Sequence, residues 1–355
     1  MTRMAKPRSL LVTGGLGFIG SAFIRRLLSS DSGFSGRLIN LDAMSYAGNP
    51  DNLADYPPCE DPERYRFVRA DIRDRSAVDQ IYHTYTIDAV VHFAAESHVD
   101  RSIEGPTLFM DVNALGTATL LESAYRYWSG AGLLSAARFH LVSTDEVYGQ
   151  LGENGSFSEA SPYAPRSPYA ASKAAADHIA MAYYHTYGLG LTISHCGNNY
   201  GPRQFPEKLI PRMISCLVAG EELPVYGRGL QSRDWIHVDD HCDAIRAVLE
   251  RGSSGQVYAL GARCERRNID LVHELIEAFA LETGQTAAEL RSRIRFVDDR
   301  PGHDFRYALD PRKIETELGW RAATPFDAGL RETVRWYLRN PDWLARIRSG
   351  AYRFT

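Results

Sequence analysis

Residues 9–20 read SLLVTGGLGFIG, a short apolar run broken by glycines and then continued with helical spacing over 18–28. Such a run ended by a turn signal predicts a buried strand, Ser9–Thr13, feeding directly into a helix. Glycines stand at 14, 17 and 20. Gly14 permits the tight turn, Gly17 lets the backbone approach a pyrophosphate, and Gly20 lets the helix pack close to the sheet. The free N–H groups and partial positive charge of the helix start then face the phosphates. A glycine triplet also occurs where only turn geometry is needed, so its context matters. Asp42 closes the next strand candidate, 22 residues after Gly20. A carboxylate there accepts from the adenosine ribose hydroxyls and repels a 2′-phosphate, which favours NAD over NADP. A strand-end Asp can instead cap a turn. Asp71 and Ile72, after the third strand candidate, are placed to meet the adenine edge.

Outward from this turn, apolar runs at 37–41, 65–69, 89–93, 139–143 and 191–196 alternate with helical stretches such as 112–127 and 169–187. Alternation of this kind predicts an α/β fold, a Rossmann-type doubly wound parallel sheet with right-handed crossovers. Beyond residue 200 the texture changes. Residues 198–211, NNYGPRQFPEKLIP, predict an extended loop, followed by short helices and strand candidates at 256–260 and 294–297. The expected division is an NAD-binding domain over 1–200 and a smaller C-terminal, mainly substrate-binding lobe over 201–355, with segments free to return to the large domain. A chain of 355 residues is long enough for both.

Bulk properties narrow the field. With 44% apolar and 24% charged residues and a net charge of −4, nothing favours nucleic-acid or anionic-membrane binding. The basic start, MTRMAKPR, precedes an apolar run that three glycines interrupt and that lacks a small-residue cleavage site, so it reads as the first strand and not as a signal peptide. No stretch of 18 apolar residues predicts a membrane span. The five cysteines are scattered, without metal-ligand spacing or a disulfide framework, so no metal is expected and a reducing cytoplasm is the simplest location.

Tyr169 and Lys173 stand four apart in SPYAASKAAADHIAMAYY, on one face of a predicted helix. An ammonium beside a phenol favours the phenolate, which can take a proton from a sugar hydroxyl while hydride leaves the same carbon. Ser143 and Thr144 end a strand expected beside this helix and add hydrogen-bonding partners.

The combination of glycine turn, strand-end Ser-Thr and Tyr/Lys pair resembles the extended short-chain dehydrogenase/reductase superfamily over nearly the whole chain, to the terminal SGAYRFT. Within it, residues 143–149, STDEVYG, carry two consecutive acids where the sugar epimerases usually carry small residues. This closely resembles the dTDP-glucose 4,6-dehydratase family. Segments 94–102 (AAESHVDRS), 42–49 (DAMSYAGN), 198–211, 224–229 (PVYGRG), 233–235 (RDW) and 299–304 (DRPGHD) match the same pattern.

The resemblance implies a sequence of steps. Oxidation at sugar carbon 4 makes a ketone that acidifies the carbon 5 proton. One carboxylate, Glu146, removes that proton. The neighbouring acid, Asp145, protonates the departing hydroxyl of carbon 6, and hydride returns to carbon 6. Two adjacent carboxyls in unlike surroundings can hold opposite protonation states. Thr144 joins the catalytic set.

For the cofactor, the resemblance adds Phe18 and Ile19 in the glycine turn, Ser45, Ala94, Ala95, Ser97 and Asn199, beside Tyr169 and Lys173. For the sugar nucleotide it adds Ser97 and Thr144 again, with Asn198, Lys208, Leu209 and Pro224. Arg233, Asn268 and His303 complete that set, Arg233 being able to pair with the diphosphate. Tyr226 fits against the nucleobase or, equally, in a core. The family is expected to form homodimers, for which 112–127 and 169–187 offer contact surfaces.

Departures from the pattern are His195 for Arg, Gly197 for Ser or Thr, Val112 for Thr, Ala259 for Asn and Phe305 for Arg. They bear on which nucleotide sugar is taken: dTDP-glucose first, UDP-glucose or UDP-GlcNAc as alternatives. A carbon 4 epimerase and a non-enzymatic NAD-binding sensor are the competing classes. The acid pair speaks against the first and the full catalytic set against the second.

Overall fold

The computed structural model describes residues 7–354; Arg3 and Lys6 of the start and the last residue of the SGAYRFT match lie outside the described residues. A seven-stranded parallel sheet forms the larger part. It contains β1 (Ser9–Thr13), β2 (Arg37–Asp42), β3 (Tyr65–Arg69), β4 (Ala89–His92), β5 (Arg138–Thr144) and β6 (Leu191–Cys196). Three short strands follow, β7 (Asn198–Tyr200), β8 (Leu223–Tyr226) and β9 (Ser232–His237), before β10 (Gln256–Leu260) completes the sheet at its far edge. The order is β10-β6-β5-β4-β1-β2-β3. Every residue of β1 is buried, because parallel crossovers cover both faces with helices. This is the Rossmann-type doubly wound sheet expected from the glycine turn.

Residues beyond 200 divide. Helix Val238–Arg251, β10 and helix Arg312–Leu318 pack on the large sheet, sharing its core through Ile245, Val248, Leu260 and Ile314. A second core forms where helices Leu209–Ala219, Asn268–Thr283 and Phe326–Arg339 bury Ile214, Leu275, Phe279 and Val334. Beside it lie a three-stranded sheet, in which β9 pairs with β7 and with β11 (Glu265–Arg267), and a parallel pair of β8 with β12 (Ile294–Val297). Residues 198–211 depart from the expected single loop. Asn198–Tyr200 find open backbone partners on β9 and form β7, and Leu209 opens a helix. Pro211 is tolerated there because N–H groups of a helix's first turn have no intrahelical partner. Only 201–208 run as loop. No helix of the described residues is long and apolar enough to cross a membrane.

Candidate active site

A cavity of about 540 Å³ opens beyond the carboxyl ends of β1 and β4. The strand order reverses there, the position at which open α/β sheets take their ligands. Gly14, Gly17, Phe18, Ile19 and Gly20 line it from the turn, Asp42 and Ser45 from beyond β2, and Asp71 and Ile72 from beyond β3. Ala94, Ala95 and Ser97 follow β4, and Asn199 faces them.

The three glycines are not equivalent. Gly14 has φ +71°, and a Cβ there would sit 2.7 Å from the Ala94 nitrogen. A Cβ on Gly20 would sit 2.2 Å from the Gly14 carbonyl oxygen. At Gly17 it would meet only that carbonyl, at 3.2 Å, and would otherwise fill the cradle. Gly14 and Gly20 therefore serve the fold, whereas Gly17 keeps the cavity floor clear for a close-lying group. Helix Phe18–Leu28 has no side-chain cap, so its first-turn N–H groups are free for an anion. Asp42 accepts from the backbone N–H of Leu16 at 3.0 Å and of Met44 at 2.7 Å. It braces the turn and lines the cavity at once, and burial pushes its carboxyl up. Glycine cradle, free helix start and strand-end carboxylate together fit a dinucleotide.

At the other end the cavity is lined by Thr144, Asp145, Glu146, Tyr169 and Lys173. β5 delivers Ser143 and Thr144, and a single 3-10 turn, Asp145–Tyr148, follows. The Thr144 hydroxyl caps that turn by accepting from the Glu146 N–H at 3.3 Å. Helix Pro168–Tyr187 starts at a Ser167 cap that accepts from the Ala170 N–H at 3.1 Å, with Pro168 preset for the first helical position. Tyr169 is thereby fixed at the helix start, and Lys173 follows one turn on with Nζ donating to the Val142 carbonyl at 2.8 Å. The Thr144 side chain stands close enough to the Tyr169 phenol to favour its ionised form.

The expected lowering of the phenol's pKa by Lys173 is corrected by the structure. Burial, then the charge of Glu146, holds the Tyr169 phenol well above its usual value. Lys173 is itself pushed down by burial, and its ammonium is committed to Val142 and to the field of Asp177. Both carboxyls are raised, but in unlike surroundings. Burial, then the Glu146 charge, raises Asp145 well above the carboxylate range, and Asp145 Oδ2 has no hydrogen-bond partner among the described residues. Burial also raises Glu146, but the charges of Arg300, Lys208 and Arg233 oppose it.

Asn198, Lys208 and Leu209 also line the cavity, with Lys208 Nζ donating to the Ser97 carbonyl at 2.7 Å. Pro224, Tyr226, Arg233, Asn268 and His303 do not line it. Pro224 lies in β8, paired with Arg295. The Tyr226 hydroxyl donates to Asp100 at 3.3 Å, and His303 Nδ1 lies 2.6 Å from Asp299, with the two rings 6.2 Å apart. Arg233 is buried over the Tyr307 ring and donates to the Asp304 carbonyl at 2.9 Å, while its charge reaches both Asp145 and Glu146. The Asn268 N–H donates to the Gln231 carbonyl at 2.9 Å.

Of the departures, Val112 and Gly197 line the cavity. Gly197 answers to packing, since a Cβ there would lie 2.7 Å from the Asp234 carbonyl oxygen. The Ala259 N–H donates to Glu159 at 2.8 Å, and Phe305 is exposed. His195 is fully buried and bonded to Asp177 and Tyr148, away from the cavity lining.

Two contributors escaped sequence reasoning. Arg300 pairs with Asp100 at 3.0 Å, and its charge is the strongest of those that oppose the burial-driven rise of Glu146. Asn113 sits in a π-helical turn, Met110–Leu115, where its amide accepts from the Glu96 N–H at 2.8 Å and donates to Ser172 Oγ at 2.8 Å. It ties the cavity wall to the Tyr169 helix, as π-turns near functional sites often do. Its only signal in the sequence is an amide side chain at 113, between Val112 and Ala114.

Comparison with known proteins agrees with this geometry. The family model described as GDP-mannose 4,6 dehydratase matches residues 11–333. A probable dTDP-glucose 4,6-dehydratase of Sinorhizobium fredii is 50% identical, covering 97% of this chain and 96% of that protein. The dTDP-glucose 4,6-dehydratase of Xanthomonas campestris pv. campestris is 49% identical over 97% of both. Among solved structures, DesIV, a dTDP-glucose 4,6-dehydratase from Streptomyces venezuelae with NAD and TYD bound, superimposes with a TM-score of 0.86 at 46% identity, covering 96% of this chain and 99% of that one. From the glycine cradle to the acid pair, and across nearly its full length, this chain belongs to the dTDP-glucose 4,6-dehydratase family of extended short-chain dehydrogenases/reductases.

Proposed function

We propose that the chain is an NAD-dependent hydro-lyase that converts dTDP-glucose to dTDP-4-keto-6-deoxyglucose. The observation that carries this is the acid pair: Asp145 and Glu146, side by side in unlike surroundings, share one cavity with the Tyr169 phenol and the dinucleotide cradle. The names of the relatives, and the NAD and TYD held by DesIV, support the same reading.

When bound, NAD supplies the two-electron exchange that makes the carbon 4 ketone and later reduces carbon 6. The residues that would hold it are those of the cradle, with Gly17 and the helix start at the pyrophosphate and Asp42 at the ribose. Tyr169, with Thr144 beside it, takes the proton of the carbon 4 hydroxyl. Its raised pKa falls when a positive charge is placed beside it, because an opposite charge favours the phenolate. Glu146, kept ionisable by three nearby cations, takes the carbon 5 proton. Asp145, kept protonated by burial and by its neighbour's charge, gives its proton to the departing carbon 6 hydroxyl, which leaves as water. Lys208 and Asn198, which line the cavity, are the groups offered to the sugar nucleotide, while Arg233 acts on the acid pair through its charge.

Incubation with dTDP-glucose, UDP-glucose and UDP-GlcNAc, followed by the alkali absorbance of 4-keto sugars, tests this. The expected outcome is product from dTDP-glucose first. A carbon 4 epimer from any of the three would refute dehydration. Homodimer formation is part of the proposal, supported by the apolar residues Leu108, Met110, Leu115 and Tyr187 exposed along 106–130 and 168–187.

A further inference from the structure

Behind the acid pair lies a buried hydrogen-bond network that the mechanism above does not use; of its members, Ser143 also lines the cavity, whereas Tyr148, Asp177 and His195 stand behind it. Its centre is His195 on β6. One ring nitrogen, Nε2, lies 3.0 Å from Asp177 Oδ2, and the other, Nδ1, lies 2.5 Å from the Tyr148 hydroxyl. A carboxylate only accepts, so Nε2 donates to Asp177 and Nδ1 accepts from Tyr148. The same Asp177 oxygen accepts from Ser143 Oγ at 2.9 Å and from the Tyr163 hydroxyl at 3.2 Å. Ser143, Tyr148, Asp177 and His195 are each at most 3% exposed, so their bonds do not compete with bulk water.

The connectivity decides what the network does. Ser143 lies two residues before Asp145, at the end of β5, and Tyr148 is the last residue of the Asp145–Tyr148 turn. The network therefore grips the acid-bearing turn at its entrance and its exit. The ring of His195 packs edge-on against Tyr148 at 4.9 Å, and Tyr163 closes the triangle at 5.5 Å from Tyr148. The turn is further pinned where the Ala164 N–H donates to the Val147 carbonyl at 3.0 Å. Asp177 also anchors the network to the other half of the chemistry. It lies four residues after Lys173 and eight after Tyr169, on the same helix and the same side. One carboxylate thus sets the distance between the helix that carries the phenol and the turn that carries the acids.

We infer that His195, together with Asp177, Tyr148 and Ser143, is a positioning assembly that holds Asp145 and Glu146 in register with Tyr169 for the elimination step. None of the four needs to touch substrate for this. The inference rests on the dehydratase reading.

Two variants of similar side-chain size test it, Tyr148→Phe and His195→Gln, neither at a residue that lines the cavity, in the full-length protein loaded with NAD and given dTDP-glucose. Rapid mixing follows the absorbance of reduced cofactor as carbon 4 is oxidised, and quenched samples follow 4-keto-6-deoxy product. A misplacement of about 1 Å costs roughly 100-fold in a reacting geometry, so a turn released at one end is expected to slow elimination by ~10-fold or more. Carbon 4 oxidation and the KM for dTDP-glucose stay within about twofold, so reduced cofactor accumulates during turnover. Equal loss of both steps, unchanged turnover, or unfolding of both variants at the assay temperature would each overturn the positioning role. Failure of the unaltered protein to dehydrate any sugar nucleotide would instead sink the functional proposal.

Discussion

Replacing Asp145 with asparagine should make the protein more stable and far less active. Asp145 is 2% exposed and its carboxyl is held well above the ordinary range by burial and by Glu146. The folded chain therefore keeps this proton to higher pH than the unfolded chain does. Between the two pKa values the folded state holds one extra proton, and stability falls as pH rises. The cost is absent below the unfolded carboxyl's pKa of about 3.9, and it grows by about 1.4 kcal/mol per pH unit until the folded pKa is passed. Asparagine has nothing to ionise, so Asp145→Asn escapes the cost. For 355 residues at about 2.1 cal/mol/K each, one kcal/mol corresponds to roughly 1.3 °C in Tm. The Tm of the variant should match that of the parent near pH 4. It should then pull ahead by about 2 °C per pH unit across the window, and the gap should stay constant above it. Calorimetry of both proteins at several pH values reads this directly. Turnover, measured in parallel, should drop about 100- to 10,000-fold, the usual worth of a general acid. A variant less stable than the parent throughout, or a Tm gap that does not grow with pH, would refute the claim that Asp145 is kept protonated.

Three other outcomes are expected. Glu146→Gln should retain carbon 4 oxidation, seen as reduced cofactor at the absorbance maximum of NADH, while product formation falls about 100-fold or more. Turnover should follow a bell in pH: the acid limb lies above the usual carboxylate range because Glu146 is raised and must be ionised, and the alkaline limb appears where Asp145 loses its proton. Both limbs belong to the coupled pair. Gly17→Ala should melt close to the parent yet fail to retain NAD, whereas Gly20→Ala should be strongly destabilised, because its Cβ would sit 2.2 Å from the Gly14 carbonyl oxygen. Dialysis followed by cofactor assay, together with melting curves, separates the two.

The features read from sequence are those whose partners are close in the chain. The turn at 14–20, Asp42 at the end of β2, and Tyr169 with Lys173 on one helix face each follow from spacing alone, and the structure places all of them on one cavity. The residues that sequence did not reveal act across the fold. Arg300 reaches Glu146 from a segment over 150 residues further along the chain. Asn113 bridges to Glu96 and Ser172 through a helix whose extra-wide turn has no periodic signature. His195 is an unremarkable strand residue until β5, β6 and the Tyr169 helix are assembled around it. The phenol's electrostatics were misread for the same reason: four-residue spacing put Lys173 on the right face, but burial and Glu146, brought in by the fold, outweigh it. Asn198–Tyr200 looked like loop because the strand that completes its backbone hydrogen bonds, β9, lies more than 30 residues later.

The most direct measurement is the fate of a deuterium placed on carbon 4 of dTDP-glucose. The account predicts a product lighter by one water, with the deuterium in its new methyl group at carbon 6. Recovery of a sugar nucleotide of unchanged mass, or of a dehydrated product without label in the methyl group, would contradict it.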